Sequence, residues 1–237
     1  MSIKQGCIIL FVKSPEQTPV KSRLAASLGA ETARALYRNF VLDMLETLTD
    51  FTAAAGYGLR ICFAPPRAGR ALKKWLGNTY TYLPQQGRHL GERMKNAFLA
   101  GFAAGYQRVL LLGSDTPDLT GTVIAEGMRS LLHHHAVIGP ARDGGYYLLG
   151  FRAETFLPAV FQGIVWSGGD VFDRTLAIFR GAGVRVAILP PWRDIDTVAD
   201  LRDLHRTGLQ GSFAQSRTMR YLRSNDSTKL EFYDKGK

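Results

Sequence analysis

Apolar runs and amphipathic stretches alternate along most of the chain, in the order expected of strands and helices. Runs rich in apolar and β-branched residues predict strands; they are Cys7–Val12, Leu59–Ala64, Tyr80–Leu83, Arg108–Leu112, Val137–Gly139, Tyr146–Leu149 and Val184–Leu189. Apolar residues at three- and four-residue steps predict helices; they are Glu31–Phe51, Arg67–Leu76, Gly91–Ala104, Val123–Leu132, Val171–Phe179 and Ala199–His205. This alternation predicts an α/β fold in which helices cover both faces of a mostly parallel sheet.

The alternating pattern stops at about residue 211. The following residues are polar, with Arg217, Arg220 and Arg223 at three-residue spacing. We expect one domain over residues 1–210 and a basic polar tail over residues 211–237, partly ordered at most.

Composition places the chain among cytoplasmic proteins with one core. Its 237 residues, 46% of them hydrophobic, are enough for a single buried core. Cys7 and Cys62 are the only cysteines and lie in apolar strand-like runs, which excludes a disulfide framework and fits a reducing compartment. No apolar run reaches the roughly 18 residues of a membrane span, and the start of the chain lacks a signal-peptide pattern.

The net charge of +10 is unevenly distributed. Residues 1–100 carry +8, residues 101–201 carry −2 and residues 202–237 carry +4. A basic first part beside an acidic middle suits an anionic substrate held against a metal ion. Basicity is also typical of nucleic-acid binding, but Tyr221 among the three arginines is the only basic and aromatic cluster, and the acidic middle opposes that alternative.

Several well-known nucleotide and catalytic motifs are absent from the sequence. It has no G-x-G-x-x-G after the first strand, no G-x-x-x-x-G-K-[ST] loop and no G-x-S-x-G elbow. The run His133–His135 lacks the i,i+4 spacing of helical zinc ligands, and we interpret it as an exposed polar corner.

Cations follow the first strand. Lys13 comes directly after that strand, and Lys21 and Arg23 come within the next ten residues. Ligands of open α/β sheets bind beyond the carboxyl ends of the strands, and lysine and arginine suit phosphate oxygens. The loop therefore predicts a clamp for a diphosphate or triphosphate.

Carboxylates also follow the predicted strand Arg108–Leu112. The strand RVLLL runs into Gly113, Ser114 and Asp115, and at this position the Asp115 carboxylate can face the crevice and bind Mg²⁺ together with substrate phosphates. Asp118 has the alternative interpretation of a turn or helix cap. Near the end of the domain, Thr197 and Asp200 predict a capping arrangement.

Two further segments have less specific signals. Asp194 and Asp196 precede the last helix, and we expect one of them to face the crevice as a second metal ligand. The sequence Asp143-Gly144-Gly145 is by itself an ordinary hairpin turn, although its glycines would also let the backbone approach a sugar or an acceptor.

Seven segments in order resemble the DUF2064 family of bacterial proteins with the GT-A fold of nucleotide-diphospho-sugar transferases. They are FVKSP, VKSRLA, LGERMKNAF, LLGSDTPDL, GPARDGGYYLLG, WSGGDVF and DIDTVADL, and they extend from about Ile8 to Leu204. The resemblance implies a three-layer α/β/α sandwich with a mostly parallel, mixed sheet. It also implies a nucleotide site at the carboxyl end of the sheet that uses Mg²⁺ or Mn²⁺.

The resemblance assigns roles to individual residues. It implies that phosphates are bound by Lys13, Ser14, Lys21 and Arg23, with Lys21 and Arg23 also assisting catalysis. Arg93 would bind a phosphate or a sugar hydroxyl. Asp115 would be the main metal ligand and Asp196 the second, while Asp143, Gly144 and Gly145 would line the acceptor side, Asp143 as the base. Ser167-Gly168 and Arg88-His89 depart from the pattern we expect in relatives.

The reaction favoured by the resemblance is glycosyl transfer from a nucleotide-diphospho-sugar to a small acceptor. An alternative is nucleotidyl transfer to a phosphorylated small molecule, because VKSRLA also resembles phospholactate guanylyltransferases. The absence of a glycine-rich first loop argues against sugar-nucleotide pyrophosphorylases. A non-catalytic nucleotide-binding protein is a second alternative.

Overall fold

The computed structural model describes residues 4–224. Its strands are β1 (Lys4–Lys13), β2 (Gly58–Ala64), β3 (Thr81–Pro84), β4 (Tyr106–Leu112), β5 (Ala136–Pro140), β6 (Tyr146–Arg152) and β7 (Val186–Ile188). They form one sheet in the order β3-β2-β1-β4-β6-β5-β7. Only β6 runs antiparallel to its neighbours β4 and β5, so the sheet is mixed and mostly parallel, as predicted.

Helices connect and cover the strands. They are α1 (Ser22–Leu28), α2 (Ala30–Ala55), α3 (Gly69–Leu76), α4 (Leu90–Ala103), α5 (Gly121–Ser130), α6 (Val171–Gly181), α7 (Val198–Thr207) and α8 (Arg217–Ser224). Short 3₁₀ helices lie at Pro66–Ala68, Ala153–Thr155, Pro158–Phe161 and Ser212–Gln215. None of the helices within residues 4–224 combines the length and apolar character that a membrane crossing requires.

Alternating side chains of the central strand divide the core into two layers. On β1, Ile8 and Leu10 pack with residues of α2, α3 and α5, whereas Ile9 and Phe11 pack with residues of α4 and α6. Successive strand residues point to opposite faces, so a continuous apolar run requires helices on both sides. The predicted three-layer α/β/α sandwich is confirmed.

A third apolar cluster joins α1, α2, α7 and α8 beside the sheet. Met219 and Leu222 of α8 are buried in this cluster against Phe40 of α2 and Leu204 of α7. The carboxylate of Asp43 on α2 accepts hydrogen bonds from the first two backbone N–H groups of α8, at 2.8 and 2.9 Å. Free N–H groups at a helix start require such acceptors.

Residues 212–224 of the predicted tail pack against the domain, as the 3₁₀ helix Ser212–Gln215 and the helix α8. Arg217 pairs with Glu46, and Arg223 donates to the carbonyl of Ala214, so the arginines do not form a free cationic stripe. Helix α8 was not predicted because it has few buried apolar positions and because its packing partner, α2, is distant in sequence. Residues 225–237 of the predicted tail lie outside the described part.

The remaining sequence predictions differ mainly at boundaries. The strand predicted over Val184–Leu189 is reduced to Val186–Ile188, and α1 was not predicted. The capping box of Thr197 and Asp200 is present, with hydrogen bonds in both directions. Cys7 and Cys62 are both buried and are not joined in a disulfide.

Candidate functional site

A cleft of about 740 Å³ opens at the carboxyl ends of β1 and β4. Its walls come from the loops after β1, β4 and β7, the turn between β5 and β6, the start of α4 and the loop before α6. The charged residues lining it are Lys13, Lys21, Arg23, Arg93, Asp115, Asp143, Asp194 and Asp196. The fold thus brings together almost every charged residue that the sequence assigned to a site.

Lys21 lies at the centre of these charges. Its ammonium nitrogen is 2.5 Å from Asp115 Oδ1 and 2.9 Å from Asp196 Oδ1, and its side chain is only 3% exposed. The ammonium also lies 5.7 Å from the ring centroid of Phe40. Lys21 was predicted to face phosphates, but here it bridges the two carboxylates predicted as metal ligands.

The backbone of Lys21 is unusual. With φ 50° and ψ 53° it is left-handed, and it is the only non-glycine residue with positive φ among residues 4–224. Such a conformation is costly for a residue with a Cβ atom and is typical of functional sites. It occurs directly before α1, so that the loop after β1 turns into the helix while the side chain points into the cleft.

The Lys21 ammonium is held in its charged form. Burial alone would lower the pKa of Lys21, but the negative charges of Asp115 and Asp196 outweigh it and raise the pKa above its ordinary value. Lys21 is therefore a permanent cation in the floor of the cleft.

Both Asp194 and Asp196 line the cleft, which corrects the expectation that only one of them faces it. Ile195 between them is fully buried in the third cluster, so the two aspartates flank a residue that anchors the loop. Burial raises the pKa of Asp194 to about 7, with further contributions from the negative charges of Asp115 and Asp143. The carboxyl groups of Asp115, Asp194 and Asp196 thus outnumber the single ammonium group of Lys21 in this part of the cleft.

Hydrogen bonds hold the loops after β4 and β7 together. The N–H of Ile195 donates to the carbonyl of Asp115 at 2.9 Å. The indole N–H of Trp192 donates to Asp118 Oδ1, also at 2.9 Å. Asp118 lies in a turn, as one of its two alternative interpretations predicted, and it fixes the loop after β7. The N-cap of α5 is Thr120, so the interpretation of Asp118 as a helix cap is wrong.

Tyr37 connects the loops after β1 and β4. Its hydroxyl oxygen accepts the N–H of Lys13 at 2.9 Å and lies 2.9 Å from the hydroxyl oxygen of Ser114. Burial, followed by the negative charge of Asp115, raises the pKa of Tyr37, so its hydroxyl remains protonated. Sequence reasoning missed this residue, because its position on the apolar face of α2 marks it only as core.

The other predicted phosphate-binding residues differ in position. Lys13 and Arg23 are exposed at the rim of the cleft, and Arg93 lines it while donating to the carbonyl of Gly87 at 3.1 Å. Ser14 is buried and does not line the cleft; its N–H donates to the carbonyl of Ala64 at 2.8 Å. It shapes the loop that carries Lys21.

The turn between β5 and β6 forms part of the wall of the cleft. Asp143 Oδ1 accepts the N–H of Gly145 at 2.9 Å, and both residues line the cleft. Gly144 does not line it: a Cβ atom there would lie 1.8 Å from the carbonyl oxygen of Gly169. The N–H of Phe172 donates to the Gly144 carbonyl at 2.8 Å, so the turn and the start of α6 are joined through a position that only glycine fits.

Trp166 separates the cleft from a second cavity of about 760 Å³. Leu90, Trp166 and Ser167 line both spaces. A Cβ atom at Gly91 would lie 2.5 Å from the indole, so the glycine lets α4 begin directly against the ring. Sequence reasoning noted WSGGDVF but gave its tryptophan no role.

The donor set limits how the site can hold a metal. Within residues 4–224, no three histidine, cysteine, aspartate or glutamate side chains are arranged to hold an ion. Asp115 and Asp196 share Lys21 and supply two carboxylate oxygens on one side of the cleft. Such a pair matches Mg²⁺, which commonly takes one or two carboxylates and completes its shell with water and phosphate oxygens.

Known proteins resemble this chain both in sequence and in structure. The profile of a family described as an uncharacterized protein conserved in bacteria (DUF2064) matches residues 47–168. A protein from Desulfovibrio desulfuricans G20, whose name assigns it provisionally to the nucleotide-diphospho-sugar transferases, is 44% identical in sequence. Its crystal structure superposes with a TM-score of 0.91, covering 98% of this chain and 99% of that one.

Two more distant structures share the fold alone. The 4-diphosphocytidyl-2C-methyl-D-erythritol synthase of Anaerococcus prevotii DSM 20548 is 11% identical, with a TM-score of 0.58 over 93% of this chain and 96% of its own. A cytidylyltransferase from Leptospira borgpetersenii is 13% identical, with a TM-score of 0.53 over 97% of both chains. No curated protein matches the sequence.

Proposed function

Because the chain belongs to the DUF2064 family, we propose that it is a metal-dependent transferase that takes a nucleotide-activated donor. The reaction we favour is glycosyl transfer from a nucleotide-diphospho-sugar to a small acceptor, the class in the name of the 44% identical relative. The observation that carries this proposal is the pairing of Lys21 with Asp115 and Asp196 inside a cleft whose rim is cationic.

The charges of the cleft fit a divalent cation bound together with a diphosphate. Burial, with neighbouring negative charge, raises the pKa of Asp194 to about 7, so a further positive charge nearby would favour the ionised form of this carboxyl at neutral pH. Asp115 and Asp196 would hold Mg²⁺ or Mn²⁺ through their oxygens. When bound, the ion would offset the negative charge that develops on the leaving diphosphate.

Three cations outside the carboxylate cluster would bind the donor. Lys13 and Arg23 at the rim would contact phosphate oxygens, with arginine offering two parallel N–H groups. Arg93 would reach a phosphate or sugar hydroxyl from the start of α4. These contacts fix the donor beside Asp115 and orient the bond that breaks.

Asp143 is our candidate for the base that takes the proton of the acceptor hydroxyl. It is exposed and lines the cleft, and within residues 4–224 only its Oδ1 accepts a hydrogen bond, from the N–H of Gly145. Its free oxygen would accept the proton as the hydroxyl attacks the anomeric carbon. Trp166, which also lines the cleft, would help to exclude water from it.

Nucleotidyl transfer is the second candidate. The same cations and carboxylates could act on an α-phosphate attacked by a phosphorylated acceptor, and cytidylyltransferases share the fold. The two reactions release different products: a nucleoside diphosphate in glycosyl transfer and inorganic pyrophosphate in nucleotidyl transfer.

A melting screen tests the proposal directly. The protein is heated with Mg²⁺ and each of the nucleoside triphosphates, nucleoside diphosphates and nucleotide sugars. A ligand at 100 times its Kd adds about 2.7 kcal/mol of stability, and each kcal/mol raises Tm by roughly 2–4 °C at this size. Product analysis with the stabilising donor then distinguishes glycosyl transfer from nucleotidyl transfer.

Binding without turnover would identify a non-catalytic nucleotide-binding protein. If no nucleotide shifted the Tm, the proposal would be refuted.

A further inference from the structure

The ammonium group of Lys21 lies where a metal shared by Asp115 and Asp196 would have to bind. We propose that Lys21 and the metal exclude each other, so that the cleft admits a divalent cation only with a polyphosphate that draws the ammonium away. This inference rests on the proposed function, because it concerns how the same site is loaded.

Contact geometry gives the first argument. Lys21 Nζ is within hydrogen-bond distance of one oxygen of each carboxylate, at 2.5 and 2.9 Å. The two aspartates are 42% and 37% exposed, whereas the lysine side chain is only 3% exposed beneath them. An arriving ion can approach the carboxylates from solvent, but it meets a fixed positive charge already bonded to their oxygens.

The mobility of the lysine side chain gives the second argument. For a metal to bind both carboxylates, the ammonium has to leave its position between their oxygens, so the side chain must move. A lysine has a flexible four-carbon stem, and the helix α1 that follows it need not shift for the ammonium to swing.

The rim of the cleft supplies the partner for that movement. Lys13 and Arg23 line the cleft on either side of Lys21 in the chain and are exposed. A polyphosphate bound by them would place its oxygens beside the ammonium, which could exchange two carboxylates for phosphate. Asp115 and Asp196 would then be free to bind the ion that accompanies the phosphate. A metal ion without polyphosphate offers the ammonium no alternative anion, so it has to compete directly with the ammonium for the two carboxylates.

Calorimetric titration with Mn²⁺ alone tests the inference. We expect wild-type protein to bind Mn²⁺ weakly and Lys21→Met to bind it at least tenfold more tightly. Lys13→Met is the matched control, because it removes one cleft cation that touches neither carboxylate, and we expect it to change Mn²⁺ affinity less than threefold. For the preformed manganese–pyrophosphate complex we expect the opposite sign, with weaker binding to Lys21→Met than to wild type.

Either of two titration results would overturn the inference: Mn²⁺ binding by wild type as tight as by Lys21→Met, or an equal gain in affinity in Lys13→Met. If Lys21→Met does not fold, Lys21→Gln takes its place. NMR of the Lys21 ammonium in the wild-type protein gives a second measurement that needs no variant. Its buried ammonium should give a protected lysine NMR signal that persists with Mg²⁺ alone; loss of that signal with Mg²⁺ alone would contradict the proposal. The nucleotide melting screen is separate, so a failure of lysine exchange is distinguishable from a failure of the transferase assignment.

Discussion

The hydroxyl oxygen of Tyr37 lies 2.9 Å from the hydroxyl oxygen of Ser114, joining helix α2 to the loop that carries Asp115. The same tyrosine oxygen accepts the backbone N–H of Lys13 at the end of β1. One buried side chain therefore sets the spacing between the cationic and the acidic loops. Since Tyr37 is only 2% exposed, water cannot replace either contact without rearrangement.

Replacing Tyr37 with phenylalanine should destabilise the protein by about 1–3 kcal/mol, because buried partners lose their hydrogen bonds. The measurement is the free energy of unfolding in urea. Tyr80→Phe is the control, since the Tyr80 hydroxyl contacts Thr49 at an exposed position, and we expect a change near zero. Equal losses in both variants would contradict the special role of Tyr37.

Asp115→Asn should remove the metal-dependent part of the nucleotide melting shift. An amide keeps the shape of the side chain but loses the charge that the ion and Lys21 require. Asp173→Asn, an exposed substitution on α6, should leave the shift unchanged. If Asp115→Asn retained the full Mg²⁺-dependent shift, Asp115 would not be the main ligand.

Without ligand, stability should fall as pH rises from about 4 to about 7. Burial and neighbouring carboxylates raise the pKa of Asp194 from 3.8 to about 7, so the folded state binds this proton more tightly than the unfolded state. Ionisation of Asp194 therefore costs stability in that window, up to about 4 kcal/mol at about 1.4 kcal/mol per pKa unit.

Asp194→Asn should flatten this pH dependence, because its amide does not ionise. Unfolding in urea at pH 5 and pH 7.5 gives the comparison, with Asp173→Asn expected to keep the wild-type slope. An unchanged slope in Asp194→Asn would show that another group causes the loss.

Gly144→Ala should disrupt the wall that carries Asp143. The residue has φ +89°, and its new methyl group would lie 1.8 Å from the carbonyl oxygen of Gly169. Gly163→Ala is the control, with φ +69° but no atom within 4 Å of the added methyl group. Both variants place an alanine in left-handed backbone, which is unfavourable in each. A greater fall in Tm and turnover for Gly144→Ala would therefore measure the effect of the clash with the Gly169 carbonyl. Similar losses would contradict it.

Helix α8 should contribute substantially to stability. Met219 is fully buried in the third cluster, so Met219→Ala should cost about 2–5 kcal/mol in the free energy of unfolding. Leu209 is 51% exposed, and Leu209→Ala should change stability by less than about 0.5 kcal/mol. A small loss for Met219→Ala would mean that α8 packs only weakly on α2.

Sequence patterns predicted the central strands and long helices because each has a strong local period. Ile8 to Val12 form a continuous apolar run, and Leu36, Phe40 and Met44 share one helix face. The sequence did not predict helix α8, because it has few apolar positions. Met219 and Leu222 are buried only through their packing with α2, which is distant in sequence. The left-handed Lys21 likewise hides the start of α1.

The charged residues of the candidate site were predictable from their positions after strands, but their contacts were not. Lys21 and Asp196 stand 175 residues apart, and no local rule pairs a lysine with one aspartate rather than with phosphate. Tyr37 and Trp166 were missed because aromatic residues in helices and loops usually belong to packing. Only the assembled fold shows that both line the cleft.

The separation of Lys21 from Asp196 also bears on how the molecule is assembled. Their ion pair closes a loop that contains most of the chain, and such closure is entropically costly until intervening contacts exist. The cleft should thus be among the last features to form during folding. No fragment that omits either end of this loop can inherit the binding chemistry.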